Sequence, residues 1–143
     1  MISLQEITEE NFNKCINLDP GVTNKDFADS VVYSLAEAWL YYPDMKPFAI
    51  SKDDELIGFV LLYAGEENYQ IINFFIVEDF RDRGYGKGAA RLCIDYLKDT
   101  YKANMISVPV DGRNLKALKF WKKLGFEESQ NVEDGYLFMR YYL

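Results

Sequence analysis

Residues 2–7 alternate apolar and polar side chains, the period of a half-buried strand. Thr8 follows as a helix cap, with Glu9 and Glu10 in the first turn of a short helix. Asp19-Pro20-Gly21 breaks that helix. A second helix is predicted over 26–42, because Val31, Leu35, Ala38, Trp39 and Tyr42 fall at i, i+4, i+7, i+8 and i+11; Pro43 ends it. Strands are predicted at 47–51 and 55–64, joined by a turn at Lys52-Asp53-Asp54, and again at 69–77. A helix then runs to about Tyr101 on a stripe of Ala89, Leu92, Cys93, Tyr96 and Leu97. A strand at 105–110, a short helix at 115–124, and strands at 126–129 and 135–142 around a turn at 131–134 complete the chain. The order β-α-α-β-β-β-α-β-α-β-β predicts a mixed sheet with helices packed on it, an α/β (α+β) fold in one domain, 1–143.

Composition narrows the chemistry. With 143 residues, 49% of them hydrophobic and 16% aromatic, the chain can bury a core without metals or disulfides. A net charge of −7 argues against general nucleic-acid binding and suits a cationic small substrate. There is no histidine, which excludes Ser-His-Asp and Cys-His catalysis and histidine-ligated zinc, so no metal is expected. Cys15 and Cys93 form no CxxC pair and are expected as small buried hydrophobes. The first ten residues carry acids and no basic stretch, and the longest apolar run, 56–65, is half a bilayer span. The expectation is a cytoplasmic protein without a membrane partner.

The informative segment joins the 69–77 strand to the next helix: Glu78-Asp79-Phe80-Arg81-Asp82-Arg83-Gly84-Tyr85-Gly86-Lys87-Gly88. Glycines at alternate positions let the backbone approach a ligand, and the first amides of a helix lack internal partners. With Arg81, Arg83 and Lys87 they favour a pyrophosphate. A P-loop fails because Lys87 is followed by Gly88 rather than Ser or Thr. A dinucleotide fingerprint can be forced onto Gly84-x-Gly86-x-x-Ala89, with Asp111 as the ribose acid, but it belongs on a parallel doubly wound sheet, not after a meander.

Arg81-x-x-Gly84-x-Gly86 resembles the acetyl-CoA loop of the GNAT (Gcn5-related N-acetyltransferase) superfamily. Asn114-x-x-Ala117-x-x-Phe120-Trp121-x-x-Leu124-Gly125-Phe126, one strand downstream, resembles a second element of that family at matching spacing. The resemblance implies a strongly twisted mixed sheet, helices on both faces, and a V-shaped splay between the 69–77 and 105–110 strands. It implies acetyl-CoA as co-substrate: pantetheine on the backbone of Phe75, Ile76 and Val77, pyrophosphate on Arg81, Asp82, Arg83, Gly84, Tyr85, Gly86, Lys87 and Gly88, and further contacts from Asn114, Ala117, Phe120 and Trp121. Pro109, near the end of the second splayed strand, has no N–H with which to pair.

The implied reaction is direct attack of a small primary amine on the thioester in a ternary complex. A backbone N–H at Val77 is the expected oxyanion donor, near a strand bulge, and Glu78 the expected base. Relatives often place an acidic tyrosine where this chain has Trp121, whose indole donates a hydrogen bond but is not a usable acid; Tyr136, Tyr141 and Tyr142 are the alternatives. The segments around 34–50 and Leu56-Ile57-Gly58-Phe59 resemble bacterial diamine and polyamine (spermine/spermidine) acetyltransferases, which implies a polycation steered by Asp29 and Glu37. The chain departs from them at Asn73 and Val77, where they commonly carry Arg and Asp. A homodimer through Tyr141 and Tyr142 is a further expectation. Two rival classes stay open: a non-catalytic CoA-binding regulatory module, favoured by Trp121, and an NAD-binding oxidoreductase domain.

Overall fold

The computed structural model describes residues 1–21 and 27–143. Its elements are β1 (Ile2–Glu6), α1 (Phe12–Ile16), α2 (Val31–Leu40), β2 (Met45–Lys52), β3 (Glu55–Gly65), β4 (Asn68–Ile76), α3 (Tyr85–Tyr101), β5 (Met105–Asp111), α4 (Leu115–Lys123), β6 (Glu127–Glu133) and β7 (Tyr136–Tyr142), with a 3-10 turn at Glu78–Phe80 before α3. The seven strands form one sheet in the order β1-β2-β3-β4-β5-β7-β6. Every neighbouring pair is antiparallel except β4 and β5, which are parallel and joined through α3. A single parallel pair is not a doubly wound sheet, so the architecture that the dinucleotide fingerprint needs is absent among the described residues.

The side chains divide the core in two. On one face Ile57, Val60, Leu62, Ile71, Ile106 and Met139 meet Ala89, Cys93 and Leu97 of α3 and Trp121 of α4. On the other face Ala49, Phe59, Leu61 and Phe75 meet Cys15 of α1 and Val31 and Ala38 of α2. Each such fully buried large aliphatic or aromatic side chain contributes about 1.5–3 kcal/mol.

Several local expectations are corrected. Thr8 does not cap α1: its own N–H donates to Asn11 Oδ1 at 2.8 Å, and Asn11 Nδ2 donates to the Glu6 carbonyl. That turn carries Glu9 and Glu10, and the helix starts at Phe12. The second helix starts at Val31, where Ser30 Oγ accepts the Tyr33 N–H at 3.1 Å; Asp26, its expected start, lies outside the described residues. Its expected inner face is also revised. Val31, Ser34 and Ala38 are buried, whereas Trp39 is 81% and Tyr42 77% exposed. The last hairpin turns at Asp134-Gly135 rather than at 131–134, and both residues have positive φ (53° and 84°), the conformation that Asp-Gly favours in a two-residue hairpin.

Candidate active site

The parallel pairing of β4 with β5 lasts for one register pair, Gln70 with Ser107. Beyond it the strands part. On β4 the register against β3 slips between Leu61 and Leu62, so Ile72 is an extra, bulged residue. The bulge lies in mid-strand, not at the strand end where it was expected. It turns Asn73 toward α2, where the buried amide donates from Nδ2 to Ser34 Oγ at 2.9 Å and to the Asp29 carbonyl at 3.0 Å.

Past the bulge, the direction of each amide follows from parity. The Val77 N–H donates to the Ile57 carbonyl at 2.8 Å, so it is committed to β3. It does not face the gap, contrary to its expected role as oxyanion donor. Antiparallel alternation turns Phe75 the same way and aims the N–H groups of Phe74 and Ile76 at the splay.

The turn that follows feeds α3. Gly84 is its N-cap at φ 82°, left-handed backbone that glycine adopts without strain, and no side chain caps the helix. The Gly88 N–H to Gly84 carbonyl bond is the first of the helix, so the N–H groups of Tyr85, Gly86 and Lys87 have no intrahelical acceptor. Arg81 also has a structural role. Its Nε donates to the Ile76 carbonyl at 2.8 Å and its Nη2 to the Pro20 carbonyl, so the guanidinium ties the end of β4 to the Pro20-Gly21 turn. Arg83 lies over the Phe80 ring, 5.6 Å from its centroid.

Two limbs of one cleft meet at the splay and share Phe74, Asn114, Ala117 and Trp121 in their walls. The smaller limb, about 350 Å³, runs to the α3 terminus. Of the expected cofactor residues it is lined by Phe75, Ile76, Arg81, Asp82, Gly84, Gly86, Lys87, Asn114, Ala117, Phe120 and Trp121. Val77, Arg83, Tyr85 and Gly88 are not in its wall, while Phe74 and Lys116 are and were missed. A Cβ on Gly86 would stand in van der Waals contact with the Phe120 ring, 3.4 Å away, so Gly86 and Phe120 face one another across this limb. On α4, Asn114 Oδ1 accepts the Ala117 N–H at 3.1 Å and caps the helix. Trp121 is 4% exposed and packs edge-on to Phe74, Phe120 and Phe126.

The larger limb, about 610 Å³, opens between α2 and the β5–β7 side of the sheet. Asp29, Glu37, Asp111, Glu133 and Asp134 line it, with Tyr33, Tyr136 and Phe138. Burial pushes the carboxyl of Asp29 up from the ordinary aspartate value. Burial, and then the neighbouring Asp29, does the same to Glu37. Asp111 is instead held down at about 2 by its hydrogen bonds from Arg113. Glu78, the expected base, is exposed on the 3-10 turn beside Gly21 and lines neither limb. Among the three tyrosines held open as acids, Tyr136 lines the limb; Tyr141 packs on Phe126, ring centroids 5.2 Å apart, and Tyr142 is exposed.

A mixed sheet splayed at one parallel pair, with open helix amides at one end of the gap and acids at the other, suits transfer from an anionic carrier to a cationic acceptor. The pattern of the acetyltransferase (GNAT) family matches residues 4–126, and the chain belongs to that family. It is an acetyl-CoA-dependent N-acetyltransferase by that membership. The spermine/spermidine N(1)-acetyltransferase of Bacillus subtilis (strain 168) is 24% identical, over 88% of each chain. Two solved structures share the fold. Aminoglycoside acetyltransferase AAC(6′)-Ib in complex with coenzyme A has a TM-score of 0.80 at 17% identity, covering 99% of this chain and 95% of that one. Spermidine N-acetyltransferase from Vibrio cholerae in complex with CoA and spermine has a TM-score of 0.76 at 16% identity, covering 99% and 94%. Among the described residues no helix is long and apolar enough to cross a membrane, and no three His, Cys, Asp or Glu side chains are grouped to hold a metal ion.

Proposed function

We propose that this acetyltransferase acts, as a cytoplasmic enzyme, on a primary amine of a small diamine or polyamine held in the larger limb. The observation that carries this reading is the pair Asp29 and Glu37 on the wall opposite Tyr136 and Phe138, in a cavity that shares Phe74 and Trp121 with the cofactor limb. Carboxylates hold ammonium groups by charge, and aromatic faces attract them through their quadrupoles. The relatives named above act on spermine or spermidine, or on an aminoglycoside.

In this reading the α3 amides of Tyr85, Gly86 and Lys87 hold the pyrophosphate, and the pantetheine arm takes the place of the missing rungs along Phe74 and Ile76. The neutral amine attacks the thioester carbonyl carbon. The Phe74 N–H, at the junction of the limbs, stabilises the oxyanion in place of Val77. The carbon–sulfur bond then breaks and the thiolate leaves. Glu37, its carboxyl raised toward neutrality by burial, receives the ammonium proton. No acid is needed at Trp121, because a free thiol has a pKa of about 8.5 and its thiolate leaves readily near neutral pH.

Steady-state thiol release with spermine, spermidine and a monoamine tests this reading. Glu37→Gln and Asp29→Asn should each raise the polyamine KM about tenfold or more, the loss of about 1.4 kcal/mol of binding, with the acetyl-CoA KM unchanged.

A further inference from the structure

Helix α2, Val-Val-Tyr-Ser-Leu-Ala-Glu-Ala-Trp-Leu, carries one charge in ten residues. At 3.6 residues per turn its side chains fall into three stripes. Val31, Ser34, Leu35 and Ala38 face the sheet. Tyr33 and Glu37 face the larger limb. Val32, Ala36, Trp39 and Leu40 face outward, with no polar side chain among them, and the chain's own fold leaves them exposed. A helix that is apolar nearly all round is one that is covered on more than one side.

We propose that this outward stripe is the interface of a homodimer, with α2 of one copy packed antiparallel on α2 of the other. Val32, Ala36 and Leu40 stand at i, i+4 and i+8, symmetric about the small Ala36. A two-fold axis at Ala36 brings Val32 of each copy onto Leu40 of the other, and two alanines meet where the backbones approach most closely. That self-complementarity is what an isologous contact requires. Trp39 adds to the patch on the helix, and Tyr41 and Tyr42 extend it past the helix end. With Val32 and Leu40 they expose about 600 Å² per chain, so two copies bury about 1,200 Å², the lower bound of stable interfaces. A membrane surface fits poorly, because residues 31–45 contain no Lys or Arg and the rim carries Glu37 and Asp44. The interface lies away from Tyr141 and Tyr142, the pair suggested by sequence.

Light scattering and sedimentation on the full chain test the proposal, with Ala36→Glu and Leu40→Glu as exposed, fold-neutral changes. The expected result is a mass twice 16.7 kDa for the native chain and 16.7 kDa for both variants, with unchanged circular dichroism and acetyl-CoA binding. Tryptophan emission should shift to the blue as the native protein is concentrated, because Trp39 is open and Trp121 already buried. A native chain of 16.7 kDa at all concentrations, with or without binding to phospholipid vesicles, overturns the proposal. So does a dimer that survives both substitutions.

Discussion

At the scale of single residues, the acid-lined wall of the larger limb is set against stability. Asp29 and Glu37 have raised carboxyl pKa values, so the folded state prefers them protonated. The stability this preference contributes is full below the unfolded pKa and is lost as pH rises through the raised folded value. At neutral pH the native chain therefore carries two carboxylates that oppose folding. Glu37→Gln should raise Tm at pH 7, and the gain should shrink as the melt is repeated toward pH 4; a gain independent of pH would mean that charge is not the cause. On the proposed function, a polycation bound in this limb would relieve the same opposition, so the residue that weakens the free chain would be the one that holds the substrate. Sequence puts Asp29 and Glu37 on one helix over 26–42; the helix starts at Val31, so Asp29 precedes it, and the fold brings the two acids together in the wall of the larger limb. The surroundings of Arg81 are not legible in sequence: it lines the smaller limb as expected of a cofactor residue, but only the fold reveals the carbonyls of Ile76 and Pro20 around its guanidinium. Val77 was misassigned for a similar reason. Whether an amide faces a neighbour or a gap depends on ladder parity, and the bulge at Ile72 changes that parity with no mark in the composition.

At the scale of elements, the period of the hydrophobic pattern located nearly every strand and helix, and it succeeded best where one face alone is apolar. The α3 stripe of Ala89, Cys93 and Leu97 is buried as expected. It failed on α2, because a helix apolar on two sides gives no phase: Trp39 and Tyr42 fit the inner face in sequence yet stand outside. The β3–β4 hairpin turns at Glu66-Glu67, both with positive φ (51° and 61°), a conformation that glutamate disfavours and no sequence rule would assign to it. Replacing Glu67 with Gly should stabilise the protein by about 1 kcal/mol and raise Tm by about 2–4 °C. Unchanged or lowered Tm in a thermal melt would show that the strain is compensated elsewhere. A Cβ on Gly65 beside it would lie 2.6 Å from the Tyr63 hydroxyl and 2.8 Å from Asp44 Oδ2, so both side-chain ends would have to shift.

At the scale of the whole molecule, the two motifs and the element order were enough to anticipate the family and the splay. They did not anticipate that the cleft has two limbs, because the acid-lined limb is assembled from α2, β5 and the β6–β7 hairpin, segments up to a hundred residues apart with no shared local signature. The sheet itself is uneven. β1 to β4 form one antiparallel block, β5 to β7 another, and a single residue pair links their backbones within the sheet.

That one-rung seam has a consequence for how fast the backbone trades its hydrogens with solvent. Amides at the middle of a seven-stranded sheet are ordinarily among the slowest to exchange. Here Phe74 and Ile76 should exchange early in the free protein, while Phe75 and Val77, their immediate neighbours on β4, exchange late. Adding acetyl-CoA should slow the first pair and leave the second unchanged, a pattern that mass-resolved or NMR-detected deuterium uptake can read residue by residue. Uniform protection of all four before ligand is added would mean that the seam is closed in solution. The pattern expected instead is that of a sheet whose central ladder is completed by its co-substrate.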